Sequence, residues 1–215
     1  MADAIERSLG AAIASGSCCI GQIAITNSNQ RSFSLTHRDE KDRDGLQIFK
    51  NPNDAIEIAK FDDTGSYRPL KTAPNLRHGW RIELPAPEAV RRALDCFYPG
   101  RLAALAAWQA KLLQTTSLRE TLERQTGMYR VAARIADSQI DHLVGDFCRS
   151  DGGCLRTILW RRDAAGAAPS SLLPPDKFEP AHDQMGRNER AIPLLCQEAC
   201  NLLVAAARRV ATADK

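Results

Sequence analysis

An α+β fold is what this sequence predicts, with a mixed helix-and-strand unit over residues 1–98 followed by a mainly helical unit over residues 99–215. Three observations carry that reading. β-branched and apolar residues gather in two short runs around residues 20–36, interrupted by the turn-forming Asn27-Ser28-Asn29. Tyr98-Pro99-Gly100 then breaks the chain. Beyond that break Leu102, Leu105, Trp108, Leu112 and Leu113 recur at helical spacing.

Taken in order, residues 2–14 have helical composition, and residues 20–26 and 32–36 read as two strands of a hairpin. A charged loop over 37–44 leads to a short strand at 46–49. Asn51-Pro52-Asn53 then opens a helix through Ala55, Ile58 and Ala59, which Gly65 and Pro69 end. A strand is expected at 80–84, and Pro85 and Pro87 introduce a helix over 88–97. In the second half a helix runs through 117–124. Residues 163–187, rich in Ala, Ser and Pro, read as a long loop, and a last helix is expected from Ile192-Pro193 through Cys196 and Cys200 to Arg208-Arg209.

The composition narrows the function classes. Of 215 residues 44% are hydrophobic and 26% charged, which supports a globular core. With 29 Lys and Arg against 26 Asp and Glu, the charge is too balanced to imply nucleic acid or a membrane surface as partner. No run is long and apolar enough to span a bilayer, and the first twenty residues lack a basic opening and an apolar stretch, so a cytoplasmic setting is expected. Seven cysteines in a reducing compartment point to metal binding before disulfides.

Four of them form two pairs. Cys196 and Cys200, four apart, would share one face of the expected last helix. Cys148 and Cys154 flank Arg149-Ser150-Asp151-Gly152-Gly153, whose glycines let backbone amides approach a bulky anion. Four thiolates supply the ligand set of a [4Fe-4S] cluster, and gaps of five and three residues suit a cluster better than the tight knuckles of a zinc site. Zinc, or burial of the cysteines as small apolar side chains, are the competing readings. Cys18, Cys19 and Cys96 fit ordinary burial. His37, His78, His142 and His182 are scattered and read as solvated or hydrogen-bonded, with His182 the one nearest to a ligand role.

Two segments, one carrying Tyr67, Arg68 and Lys71 and the other Arg124, Tyr129 and Arg130, place cationic and aromatic groups together. They are candidates for binding a small anionic ligand, since Arg makes forked bonds to carboxylate and phosphate; the alternative is a loop anchoring an edge strand and a solvated helix face. Arg149, Arg156, Arg161 and Arg162 lie nearest in sequence to the cysteines and would favour added electrons on a cluster.

Tyr67-Arg68-Pro69-Leu70, Gly79-Trp80, Tyr98-Pro99, the run from Arg124 to Tyr129, Cys148, Cys154-Leu155, Trp160, Cys196 and Glu198-Ala199-Cys200 together resemble a little-characterised bacterial family. In it a [4Fe-4S]-binding domain follows a stabilising domain, alone or joined to a sirohydrochlorin-type cobalt or iron chelatase. The resemblance covers nearly the whole chain. It implies Cys148, Cys154, Cys196 and Cys200 as cluster ligands, the α+β part as the stabilising domain, and a chelatase or redox protein as a separate partner. It also implies an accessory electron-transfer or redox-sensing role linked to tetrapyrrole or cobalamin metabolism. A cluster-dependent enzyme acting on a small anionic substrate and a structural zinc protein are the alternatives, and no catalytic triad, phosphate loop or zinc-hydrolase motif favours the enzyme.

Overall fold

The computed structural model describes residues 2–14, 16–28, 32–67, 76–112, 116–128, 130–144, 157–158, 160–161, 181–182, 190–192, 194–196 and 201–213. The chain divides into two compact units, Met1–Leu112 with Pro175–Leu194, and Leu113–Pro174 with Leu195–Lys215. The division falls beyond the expected boundary at residue 98. Its physical reason is the helix that follows the Tyr98-Pro99-Gly100 break, which buries Leu102 and Leu105 and packs against the N-terminal helix.

In the first unit, helix α1 (Ala2–Ala14) buries Ile5, Leu9 and Ile13, a stripe of i, i+4, i+8 spacing. Strands β1 (Cys18–Ile20), β2 (Ile23–Ser28) and β3 (Ser32–His37) form an antiparallel meander, followed by a 3-10 turn at Arg38–Glu40. Strand β4 (Gln47–Phe49), helix α2 (Asp54–Ala59) and strand β5 (Trp80–Leu84) make a parallel crossover. Helix α3 (Pro87–Phe97) takes Pro87 at its start and buries Val90, Ala93, Leu94 and Phe97, and α4 (Arg101–Gln109) follows.

Two strands from the later chain join this sheet: β9 (Ala181–His182) and β10 (Arg190–Ile192). The order is β4-β5-β3-β2-β1-β10-β9, with β10 parallel to β1 and Cys18, Cys19 and Ile20 opposite Arg190, Ala191 and Ile192. In β5 burial alternates, with Trp80, Ile82 and Leu84 inward, and Trp80 stacks on Phe97 of α3 at 5.1 Å between ring centroids. Arg91 of α3 pairs with Glu6 of α1 at 2.8 Å, joining the two helices beside the apolar contact.

The second unit is held by Leu118, Leu122, Met128, Ala132, Ile135, Ile140, Leu143, Leu203, Val204, Ala206, Ala207 and Ala211. Most of these come from α5 (Leu118–Glu123), a 3-10 turn at Ala132–Arg134, α6 (Asp137–Val144) and α7 (Asn201–Ala213), with Met128 and Ile135 from the connecting segments. Two short parallel pairs complete it: β6 (Thr116–Ser117) with β8 (Trp160–Arg161), and β7 (Thr157–Ile158) with β11 (Leu195–Cys196). The architecture is α+β as expected.

Three local expectations are corrected. The strand read over 20–26 is two strands, because the chain reverses at Gly21-Gln22 and sets Ile20 opposite Ile23. Gly21 has φ +57°, and a Cβ there would lie 2.5 Å from the Tyr98 hydroxyl and 2.7 Å from Leu194 Cδ1. That hydroxyl accepts the Gln22 backbone N–H at 2.9 Å. The last helix begins at Asn201, not at Ile192: Arg190–Ile192 pairs with β1, Leu195–Cys196 pairs with β7, and these ladders override the helical composition of the segment. The loop expected over 163–187 lies outside the described residues except for Ala181–His182, which is strand β9.

Gly21→Ala combines a left-handed conformation with two sub-van-der-Waals contacts, and should lower stability by about 3 kcal/mol in urea unfolding. Tyr98→Phe leaves the Gln22 N–H without its acceptor and should cost about 1 kcal/mol in the same measurement. An unchanged midpoint for Gly21→Ala would mean that the turn adapts.

Candidate metal centre

The cysteines separate by environment. Cys18 and Cys19 lie in β1, a strand buried at every position, and Cys96 is half-buried in α3. Burial pushes the Cys18 thiol up to about 12. Burial, and after it the Asp95 carboxylate, also raises Cys96. Both are held as neutral thiols, the poorer form for binding a metal.

The other four cysteines fall in the later chain. Cys196 is in β11, so it and Cys200 do not share a helix; its backbone lies opposite Ile158 of β7. Cys148, Cys154 and Cys200 lie outside the described residues. The register nevertheless relates the two pairs through the chain itself. Thr157, opposite Leu195, comes three positions after Cys154, and Asn201, the first residue of α7, directly follows Cys200. The strand carrying Cys196 is thus hydrogen-bonded to the strand that Cys154 leads into. A thiolate set drawn from these four positions fits a cluster's need for four soft ligands, while Cys18 and Cys96 are protonated and belong to the other unit.

The anion-binding candidates divide between the units. Tyr67 is 59% exposed, its ring edge-on to Phe61 at 5.8 Å, in the first unit. Arg124 and Arg130 are exposed in the second. Arg68, Lys71 and Tyr129 lie outside the described residues, as do Arg149, Arg156 and Arg162, while Arg161 is in β8.

The histidines hold a feature that the sequence reading missed. His37 is buried, 1% exposed, and its ring centroid lies 4.1 Å from that of exposed His78. Burial lowers His37 to about 4; His78 and Arg38 push the same way, and Asp39 and Glu40 oppose. Its Nδ1 accepts the Asp39 backbone N–H at 3.3 Å and lies 3.6 Å from Asp39 Oδ2. The two histidines are far apart in sequence, and the signal that could have joined them is the β3–β5 register. Leu35 faces Ile82 and Thr36 faces Arg81, so the end of β3 and the approach to β5 share one end of the sheet. His182 is in β9, opposite Arg190. His142 is exposed near the end of α6.

Comparison with known proteins finds two family matches along the chain. Residues 7–112 match the DR2241 stabilising domain, and residues 110–209 match a 4Fe-4S iron-sulfur cluster binding domain, which spans all four candidate ligands. The chain is therefore a [4Fe-4S] cluster-binding protein with an N-terminal stabilising domain. It belongs to the family defined by that pair of domains. Among solved structures it is similar to DR2241 from Deinococcus radiodurans, with TM-score 0.71 and 27% identity over 98% of this chain. That relative is described as a multi-domain protein with structural similarity to chelatases and two additional novel domains, and this chain spans 41% of its length. No curated protein matches. No helix among the described residues is long and apolar enough to cross a membrane.

Iodoacetamide at pH 8 should leave Cys18 of the native protein unmodified, since a buried thiol raised to about 12 presents almost no thiolate, and should label it once the protein is unfolded in urea. Peptide mass mapping reads both states. Rapid native labelling of Cys18 would contradict the burial of β1.

Proposed function

We propose that the protein is an accessory electron-transfer or redox-sensing component that serves a separate chelatase or redox protein in tetrapyrrole or cobalamin metabolism. We further propose that Cys148, Cys154, Cys196 and Cys200 hold its cluster. The pairing of β7 with β11 is the observation that supports this ligand set. It ties the chain just after Cys154 to the strand containing Cys196. A bound [4Fe-4S] cluster supplies reversible one-electron chemistry. Around it the chain's own residues would do two things: the cysteines would anchor the cluster, and arginines close to them in sequence would favour added electrons. The likeness to a chelatase-like relative supports the link to tetrapyrrole metabolism. A cytoplasmic setting follows from the reduced thiols this reading requires. A small anionic ligand at Tyr67, Arg68 and Lys71 or at Arg124, Tyr129 and Arg130 would be a modulator of that role.

Protein purified without oxygen should contain about four iron and four sulfide per chain. Serine at any of the four positions should remove most of the iron, whereas Cys96→Ser keeps it. Full iron loading of Cys200→Ser would remove that residue from the ligand set, and one zinc without sulfide would replace the cluster by a structural ion. For the accessory role, a purified sirohydrochlorin-type chelatase should change its metal-insertion rate when the protein is added reduced but not when added oxidised. Equal rates under both conditions would overturn that role while leaving the cluster in place.

A further inference from the structure

We propose that His37, Asp39 and His78 form a binding site, in the first unit and apart from the cysteines, for a divalent first-row transition-metal ion such as Zn2+, Co2+ or Ni2+. One ligand atom from each of the three side chains lies within 4.8 Å of the others. Ligands about 2.1 Å from a tetrahedral ion sit roughly 3.4 Å from one another, and His37 Nδ1 and Asp39 Oδ2 already stand 3.6 Å apart. The remaining distance would be closed by rotation of the His78 and Asp39 side chains, His78 being exposed and Asp39 45% exposed.

The arrangement has the electronic character of a cation site. Because Nδ1 of His37 accepts the Asp39 N–H, it carries no proton, and its one lone pair would exchange that 3.3 Å hydrogen bond for the ion. Two electron-rich atoms thus face each other beside a second imidazole. His37 Nε2 is buried and has no hydrogen-bond partner among the described residues, an unmet polar atom that packing alone does not explain. Arg38 lies 3.9 Å from the other Asp39 oxygen, Oδ1, and leaves Oδ2 on the histidine side.

The surroundings hold the ligands in place. His37 ends β3 and caps the 3-10 turn that carries Asp39. Buried Glu40 ends that turn: its Oε2 accepts the Gly79 N–H at 2.6 Å, and its Oε1 pairs with Arg43. The Gly79 carbonyl in turn accepts the Gln47 N–H at 3.0 Å. The residue after His78 is therefore fixed on both sides, one of them through the turn that bears the other two ligands, which is the role of an outer ligand shell. Two imidazoles and one carboxylate suit zinc, cobalt or nickel and not calcium or magnesium, which favour oxygen alone. Three protein ligands leave a coordination position to water, so the ion should exchange.

The test uses protein that retains its cluster, so that the cysteines are occupied, titrated with Zn2+ against a chromophoric chelator and measured by X-ray absorption at the zinc edge. About one zinc should bind per chain with a nitrogen and oxygen shell. His78→Ala should weaken binding about tenfold or more and Asp39→Asn should also weaken it. Because His78 is exposed, the melting temperature of His78→Ala without zinc should equal that of the parent. Undiminished affinity in His78→Ala, a sulfur shell, or no binding by the parent protein would each overturn the site.

Discussion

Strand β1 is the hinge of the chain's layout, because it is paired on both edges and the two partners come from opposite ends of the sequence. Its antiparallel neighbour β2 is reached by a two-residue turn, while its parallel neighbour β10 arrives from residues 190–192. A parallel pair needs a long crossover, and here the intervening chain includes residues 113–174 of the second unit. Closing so long an excursion costs conformational entropy that grows only slowly with its length, so a three-residue ladder backed by the burial of Ile20 and Ile192 can hold it. Only Pro193 and Leu194 then separate the end of β10 from the start of β11. The turn at Gly21 belongs to the same constraint, since it brings the Tyr98 hydroxyl and Leu194 within reach of one backbone position.

The same strand explains why a cysteine-rich chain directs its metal chemistry to one half. Cys18 and Cys19 are interior residues of a strand covered on both faces, where a thiol behaves as a small hydrophobe and ionising it would mean moving charge out of water. Cys196, by contrast, lies in a short ladder of the second unit, whose core is built from small and aliphatic side chains of helices. The buried pair in β1 is thus placed by packing, and the four later cysteines are the candidates for chemistry.

Much of this was legible in the sequence because it is local. The α1 stripe, the alternation in β5, Pro87 at the start of α3 and the break after Tyr98 are each written in adjacent residues, and the structure places those elements where the pattern does. What failed is non-local. Residues 190–196 have helical composition, and only pairing with β1 and β7, more than thirty residues away in either case, makes them strands. The run over 20–26 reads as one strand because its apolar character is continuous, and the reason for its break is a side chain at residue 98. The sequence places α4 with the helical half, but its burial against α1 assigns it to the first unit. The candidate cluster ligands were visible as residue types and spacings. The shared helical face argued for Cys196 and Cys200 was not their true relation. His37 and His78 looked scattered because strand register, which brings them together, is not a property of either segment alone.

Two metal-binding chemistries in one chain raise the question of how each site avoids the other's ion, and ligand type answers it. Thiolates favour iron-sulfur clusters and soft ions, and a cluster demands four of them at once. The imidazole and carboxylate set at the end of β3 offers three harder ligands and no sulfur, too few and of the wrong kind to hold a cubane. Zinc is the ion that could enter either. Its preference for a closed thiolate tetrahedron would draw it to free cysteines, so with the cluster on the proposed ligand set the histidine site would be left for an exchangeable ion. The neutral Cys18 thiol reinforces the separation, because it lies in the same unit as His37 yet is poorly able to compete.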